Sequence, residues 1–399
     1  MSASIRGERL VITLLGKRNV GKSSLINAIT GQETAIVSDL PGTTTDPVDK
    51  RFELVPIGPV TFYDTAGLDD IGELGAKRIQ ATNKVLFRTD MAIFVNDGTP
   101  FDQGELELVK RLQEMKIPHL VVFNKSDLRQ PAPENIKFCE EHKLPFISVS
   151  AADEKSMKGL TQMLIDLSPS KQAEARILVG DLVKPGDRVV LVTPIDQSAP
   201  KGRIILPQVQ VLRDLLDHNA IVTFTKDTEL ERTLASFATP PQLVITDSQV
   251  VQEVAQIVPE AIPLTTFSIL FARYKGELEI LARGVRQIDR LEASDRVLIA
   301  EACSHHAQED DIGRVKIPRW INDYLGEHPN YEVKAGFDFP ENLEDYALII
   351  HCGACMLNQA EMGRRIMEAH RRNVPITNYG LAITKVQGVF ERCVKVFGV

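Results

Sequence analysis

The chain has 399 residues, 43% of them hydrophobic, with a formal net charge of −8 and five cysteines. That length suggests two or three domains of roughly 150 residues, and the apolar content is ample for packed cores, which excludes a disordered chain. Acidic and basic residues are mixed along the sequence, so no basic tract marks a surface for nucleic acid or an anionic membrane, and no uncharged run is long enough to cross a bilayer.

The opening "MSASIRGERLVITLLG" holds too short an apolar stretch for a signal peptide, so a cytoplasmic location is expected. In that reducing compartment cysteines bind metal or pack in cores in preference to forming disulfides. The first predicted element is a strand, "RLVITLL", which feeds directly into "GKRNVGKSSLINAIT". Gly16, Gly21, Lys22 and Ser23 fit G-x-x-x-x-G-K-[ST] in the strand, loop and helix setting that this motif requires. Its chemistry explains the spacing. Backbone N–H groups of a glycine-rich turn wrap phosphates at a helix N-terminus, Lys22 reaches the β/γ oxygens, and the Ser23 hydroxyl ligates Mg²⁺, with Ser24 beside it at the nucleotide.

A second strand, "TFYDTAGL", ends in Asp64 and Gly67, which suit a carboxylate near Mg²⁺ and a backbone amide that senses the γ-phosphate. Between the two strands lies "DLPGTTTD", where Thr43, Thr44 and Thr45 each offer a hydroxyl to Mg²⁺ and Thr44 is chosen by position. A third strand, "HLVVFNKSD", presents Asn124, Lys125 and Asp127, and "FISVSAAD" ends a fourth at Ser150 and Ala151. The Asp127 carboxylate can accept both the N1 and N2 protons of guanine, a pairing adenine does not provide, so the expected nucleotide is GTP or GDP.

Together these segments resemble the translation-factor-like GTPases, closest to the Era and TrmE group, over about residues 8–170. The resemblance implies an asparagine at the position of Asn19 that helps bind K⁺, and with it a potassium-stimulated hydrolysis. Beside that stands the plainer reading in which Asn19 only caps a turn. Leu68 occupies the place where Ras-like proteins carry a water-orienting glutamine, and Thr45 replaces the arginine of the group's usual "GTTRD".

From "SPSKQAEARILVGDLVKPGDRVVLVTPID" onward, short apolar strands ("RVVLVTPI", "AIVTFT", "QLVITD") alternate with amphipathic helical stretches ("LPQVQVLRDLLDHN", "KDTELERTLASFA"). That alternation predicts a small parallel α/β domain. Asp196, Lys201 and Arg203 are read as a solvated loop, and no catalytic cluster stands out.

The last third alternates again: "DRVLIAEAC", "VKIPRWINDYL", "YALIIHC" and "LNQAEMGRRIMEAHRR". Both cysteine-bearing strands end in ligand-type residues, and ligands gather beyond the carboxyl ends of strands in an open parallel sheet. Folding could therefore bring Cys303 and His305 against His351, Cys352 and Cys355. A C-x-x-C turn lets two thiolates grip one metal centre, and three thiolates suit a [4Fe-4S] cluster whose fourth iron takes a weaker ligand: His305, His351, Glu309, Asp310 or water. A redox dithiol and a structural zinc site are the competing readings. Cys139 and Cys393 lie on apolar helical faces and are read as core residues.

The pattern C-x-H, then H-C-x-x-C, behind a TrmE-type GTPase resembles the HydF family of [FeFe]-hydrogenase maturation GTPases over essentially the whole chain. The resemblance implies three α/β domains: a P-loop GTPase domain over 1–172, a parallel-sheet dimerization domain over 173–265 and a parallel-sheet cluster-binding domain over 266–399. It implies a homodimeric scaffold that holds a [4Fe-4S] cluster and a transient diiron precursor received from radical-SAM hydrogenase maturases, and delivers the precursor to apo-[FeFe]-hydrogenase. Neither nucleic acid nor membrane is expected as a partner. The alternative is an RNA- or ribosome-directed GTPase with a zinc-stapled C-terminal domain.

Overall fold

A computed structural model describes residues 9–31, 48–64, 85–168, 177–195, 204–302, 311–336, 339–340, 342–353 and 357–399. The chain divides into two compact units, 1–175 and 176–399.

The first unit is built on a six-stranded sheet in the order β2-β3-β1-β4-β5-β6. Its strands are β1 (Leu10–Leu15), β2 (Val48–Leu54), β3 (Gly58–Asp64), β4 (Met91–Asn96), β5 (His119–Phe123) and β6 (Phe146–Ser148). Only β2 runs antiparallel, to β3. Strands β1, β4 and β5 read as continuous apolar runs because both faces are covered, as parallel sheets demand. Helices α1 (Lys22–Thr30), α2 (Gln103–Glu114), α3 (Pro133–Glu141) and α4 (Glu154–Leu167) cover those faces. One face packs Ile12, Leu14, Leu25, Ile26, Leu160 and Leu164, and the other Phe94, Val109, Leu112, Phe123 and Cys139. Each such side chain contributes about 1.5–3 kcal/mol on full burial. The order around β1 puts β3 on one side and β4 on the other, so the carboxyl ends of β1 and β3 lie side by side at the edge of the sheet where ligands bind.

The second unit contains two four-stranded sheets, β10-β9-β7-β8 and β12-β11-β13-β14, each parallel throughout. The first has β7 (Arg188–Thr193), β8 (Ile221–Lys226), β9 (Leu243–Thr246) and β10 (Leu264–Thr266), with α5 (Leu206–Asp217), α6 (Leu230–Ala235), α7 (Val251–Ile257) and α8 (Phe267–Lys275). The second has β11 (Arg296–Glu301), β12 (Asn330–Ala335), β13 (Leu348–His351) and β14 (Ile376–Asn378). With it go α9 (Leu278–Val285), α10 (Ile317–Leu325), α11 (Gln359–Arg371), α12 (Tyr379–Val386) and α13 (Phe390–Val394).

The parallel strands expected from alternation are therefore present, and the sheets are completed by β10, β12 and β14, which the pattern did not announce. One apolar cluster runs through both sheets, taking Val190 and Val244 from the first and Leu298, Ile299, Ile349 and Ile350 from the second. Arg392 of α13 reinforces the join: Nη1 donates to the Ala255 carbonyl at 2.8 Å and Nη2 to those of Val258 and Pro259 at 2.8 and 2.9 Å, satisfying the C-terminal end of α7. Strand β8 is an open edge whose Ile221 and Phe224 are 55% and 37% exposed. Among the described residues, no helix is long and apolar enough to cross a membrane.

Candidate functional site

In the first unit, the loop between β1 and α1 turns on Gly16 and Gly21. Gly16 has φ +140°, and a Cβ there would lie 2.1 Å from the Val95 carbonyl oxygen, so only glycine lets the loop pass this close to β4. Lys22 is buried, and its Nζ donates to the Gly16 and Lys17 carbonyls at 2.7 and 2.8 Å, bridging the mouth of the loop. Ser23 and Ser24 are exposed at the start of α1, where unpaired helix N–H groups attract phosphate.

The Ser23 hydroxyl donates to Asp64 Oδ2 at the end of β3, which brings together two residues expected around Mg²⁺. Asp64 is 7% exposed and its Oδ1 is buried with no hydrogen-bond partner among the described residues. A buried carboxylate oxygen left without a donor fits a divalent cation, and Ser23 and Asp64 would hold it. Thr43, Thr44, Thr45, Gly67 and Leu68 lie outside the described residues.

The guanine-binding segment meets the phosphate loop directly. Asn124, 2% exposed, donates from Nδ2 to the Val20 carbonyl at 2.9 Å, and Lys125 Nζ donates to the Asn19 carbonyl at 2.6 Å. Asn19 and Lys125 both have positive φ, 64° and 58°, and the Asn19 side chain is exposed. The turn after Lys125 is closed by the Leu128 and Arg129 amides donating to its carbonyl, which leaves the Asp127 carboxylate exposed. The Ser126 amide donates to Val149 O, and the Ser156 hydroxyl donates to Ser150 O, so the turn carrying Ser150 and Ala151 is fixed beside Asp127.

One part of this cradle was not read from sequence. Lys17, inside the loop, pairs with Asp102 at 2.9 Å and Glu105 at 2.8 Å, and buried Glu105 also accepts from Asn96 Nδ2 at 3.2 Å. Burial pulls the Lys17 ammonium down, but Glu105 and Asp102 more than reverse this and its pKa is raised. The capping-box spacing of Asp102 and Glu105 was the available signal.

In the second unit, β11 and β13 are neighbours with Ala300 opposite His351, so their carboxyl ends lie side by side. Cys352 is half-buried there. Its amide donates to Ala300 O at 2.8 Å, and its Sγ accepts the Ala302 N–H at 3.1 Å. His351 is fully buried, with Nδ1 2.9 Å from Cys352 O and Nε2 3.1 Å from Arg365 Nη1. Burial, and then the Arg365 guanidinium, pushes the imidazole down to about 3, so it is neutral.

Three more side chains crowd this end of the sheet. Buried Glu301 takes a forked pair from Arg314, with Nη2 to Oε2 at 2.7 Å. Arg314 rides on a single π-helical turn, Ile312–Lys316, that Asp311 caps and that precedes the predicted helix. The Tyr379 hydroxyl lies where a Cβ on Gly313 would come within 2.0 Å; it is buried and has no hydrogen-bond partner among the described residues. Burial, then the charges of Cys352, Glu301 and Asp311, pushes this phenol far up, so it remains an O–H donor. A held thiol beside an unpartnered donor fits a sulfur-rich metal centre.

Cys303, His305, Glu309, Asp310 and Cys355 lie outside the described residues, as do Asp196, Lys201 and Arg203. Among the described residues, no three His, Cys, Asp or Glu side chains converge on a point that could hold a metal. Cys139 and Cys393 are buried core thiols, pushed up to about 11 and about 12 chiefly by burial, which fits a packing role.

The first sheet, its phosphate loop and the facing guanine turn define a P-loop GTPase unit, joined in one chain to a unit of two further parallel sheets. The 50S ribosome-binding GTPase model matches residues 11–125, the hydrogen maturase F dimerization domain residues 178–276, and the hydrogen maturase F tetramerization domain residues 279–396. The chain belongs to the hydrogen maturase F family.

Its GTPase stretch is also similar to better-known enzymes. The tRNA modification GTPase MnmE of Prochlorococcus marinus (strain NATL1A) is 46% identical over 120 residues, covering 30% of this chain and 26% of that protein. GTPase Der of Kosmotoga olearia is 32% identical over 207 residues, covering 49% of this chain and 46% of that protein. The chain thus spans between about a quarter and a half of the length of these curated relatives. The segment read as cluster-binding matches a model described as a tetramerization domain, and with the dimerization match this supports oligomerization.

Proposed function

We propose that this protein is a potassium-stimulated GTPase and scaffold that holds a [4Fe-4S] cluster, accepts a diiron precursor from radical-SAM maturases and delivers it to apo-[FeFe]-hydrogenase. The observation that carries the reading is Cys352. Its amide, carbonyl and thiol are each hydrogen-bonded at the carboxyl edge of a parallel sheet, inside a domain of the hydrogen maturase F family. Ala302, whose amide holds that thiol, directly precedes Cys303 in the chain. Cys303, Cys352 and Cys355 would be the cluster's thiolate ligands, and His305, His351, Glu309, Asp310 or water would complete it at an exchangeable position. The cluster, when bound, supplies an iron through which a second metal complex can bridge and later leave.

In the GTPase unit, Lys22 and the Gly16–Ser23 backbone bind the phosphates, with Ser24 bordering them. Ser23, Asp64 and Thr44 hold Mg²⁺, and Gly67 follows the γ-phosphate. Asn124, Lys125, Asp127, Ser150 and Ala151 select guanine, and Asn19 contributes to a K⁺ site. The working division is a GTPase block over 1–172, a dimerization block over 173–265 and a cluster block over 266–399. The open edge β8, with Ile221 and Phe224 exposed, suits pairing with a second copy across that edge.

Anaerobic purification tests the reading. The protein should be brown, hold iron and activate apo-hydrogenase when loaded with the diiron precursor, and Cys352→Ser should bleach it. Colourless protein with stoichiometric zinc would replace it with the RNA- or ribosome-directed alternative.

A further inference from the structure

His351 sits next to Cys352 and, by residue type, ranks among the cluster ligands. Its surroundings give it other work. Arg365, on α11, is 2% exposed and its Nη1 lies 3.1 Å from His351 Nε2. A guanidinium donates and has no acceptor, so Nε2 must accept through its lone pair. The proton of the neutral imidazole is then on Nδ1, which lies 2.9 Å from the Cys352 carbonyl and donates to it. Both ring nitrogens are therefore engaged, and no lone pair is left for iron.

Arg365 is itself held. Its Nη2 donates to Glu361 Oε1 at 2.8 Å, one helical turn back, and its guanidinium lies over the Phe339 ring at 5.3 Å. Glu361 is 4% exposed and its amide is capped by Asn358 Oδ1 at 2.8 Å, which fixes the start of α11. The chain Glu361, Arg365, His351 ends on the Cys352 carbonyl, while the amide of the same residue donates to Ala300 O and its sulfur accepts from Ala302 N.

We propose that Arg365 and Glu361 are positioning residues that lock His351 as the Nδ1–H tautomer, so that His351 orients the Cys352 thiolate toward the cluster and is not one of its ligands. The proposal rests on the reading that Cys352 binds a cluster. Its test uses the full-length, anaerobically reconstituted protein with ¹⁵N-labelled histidine, followed by pulsed EPR of the reduced cluster, iron release to a chelator, and circular dichroism.

The variants are His351→Gln, Arg365→Met, and the pair Arg365→Met with Glu361→Leu. The pair replaces the buried ions together and leaves no uncompensated charge. All three should alter the EPR line shape alike and speed iron release by about tenfold or more, as loss of an outer partner does. Any ¹⁵N imidazole coupling of the wild type should persist in His351→Gln. A ¹⁵N coupling lost in His351→Gln overturns the proposal. So does an unchanged EPR signal and release rate in the paired variant when circular dichroism shows it folded. Iron retained undiminished in Cys352→Ser would instead strike the underlying cluster assignment.

Discussion

Gly21→Ala probes the point where the phosphate loop and the guanine segment touch. Gly21 has φ +94°, and its added Cβ would lie 2.3 Å from Asn124 Nδ2. The left-handed backbone costs an L-residue ~1–2 kcal/mol. The contact also forces Asn124 off the Val20 carbonyl, 2.9 Å away, and losing a buried hydrogen bond costs a further ~1–3 kcal/mol. The sum, about 2–5 kcal/mol, is a large part of an ordinary domain's stability of ~5–15 kcal/mol.

Asn124→Ala alone should cost ~1–3 kcal/mol for the same lost bond. In the double variant the new Cβ meets no amide, so only the backbone cost is added and the two effects fall short of their sum by ~1–3 kcal/mol. Denaturant unfolding of the GTPase unit in the full chain, with titration of a fluorescent GDP analogue, measures the cycle. Effects that add to within about 0.5 kcal/mol would refute the reasoning, because the clash would then carry no cost.

GTP turnover should be faster in KCl than in NaCl, and Asn19→Ala should erase the difference while GDP affinity holds; equal rates in the two salts would remove Asn19 from the site. Phe224→Asp, placed on the open edge at 37% exposure, should reduce the assembly's mass in analytical ultracentrifugation without altering circular dichroism. An unchanged mass would mean that β8 is not the contact. Tyr379→Phe removes a buried hydroxyl without a partner among the described residues, so the melting temperature of the cluster-free protein should hold or rise. The loaded protein should show a lower midpoint potential, since a donor stabilises the more negative reduced state; a potential that stays put would show that the phenol does not reach the cluster.

Much of the nucleotide cradle was legible because its residues answer to backbone chemistry. Gly16 must be glycine to clear Val95, and Asn124 must reach Val20, so the sequence retains those letters at fixed spacing. Several parallel strands buried on both faces were legible, as in "LIIH" of β13, although "MAIFVN" of β4 was not read. Strand β12, "NYEVKA", was missed because an edge strand half in solvent alternates weakly, and β14 is only three residues long.

The cysteine spacing pointed to metal, but the burial of Arg365 did not show. An Arg-Arg pair on a charged helix looks solvated until the fold turns one of them inward. Likewise the Lys17 ion pairs join elements far apart in sequence: the capping-box spacing of Asp102 and Glu105 marks a helix start but not its meeting with Lys17.

The Arg392 clamp has a consequence for biogenesis. The carbonyls it binds, in the last turn of α7 and the two residues that follow it, are synthesised 133–137 residues earlier. At ribosomal speeds of roughly 5–20 residues per second, that turn stays uncapped for something like ten seconds. The nucleotide-binding half, complete by about residue 175, can meanwhile reach its native form. Newborn chains therefore pass through a stage with a finished nucleotide-binding unit tethered to an unfinished second unit, and this interval is when chaperones would be needed most.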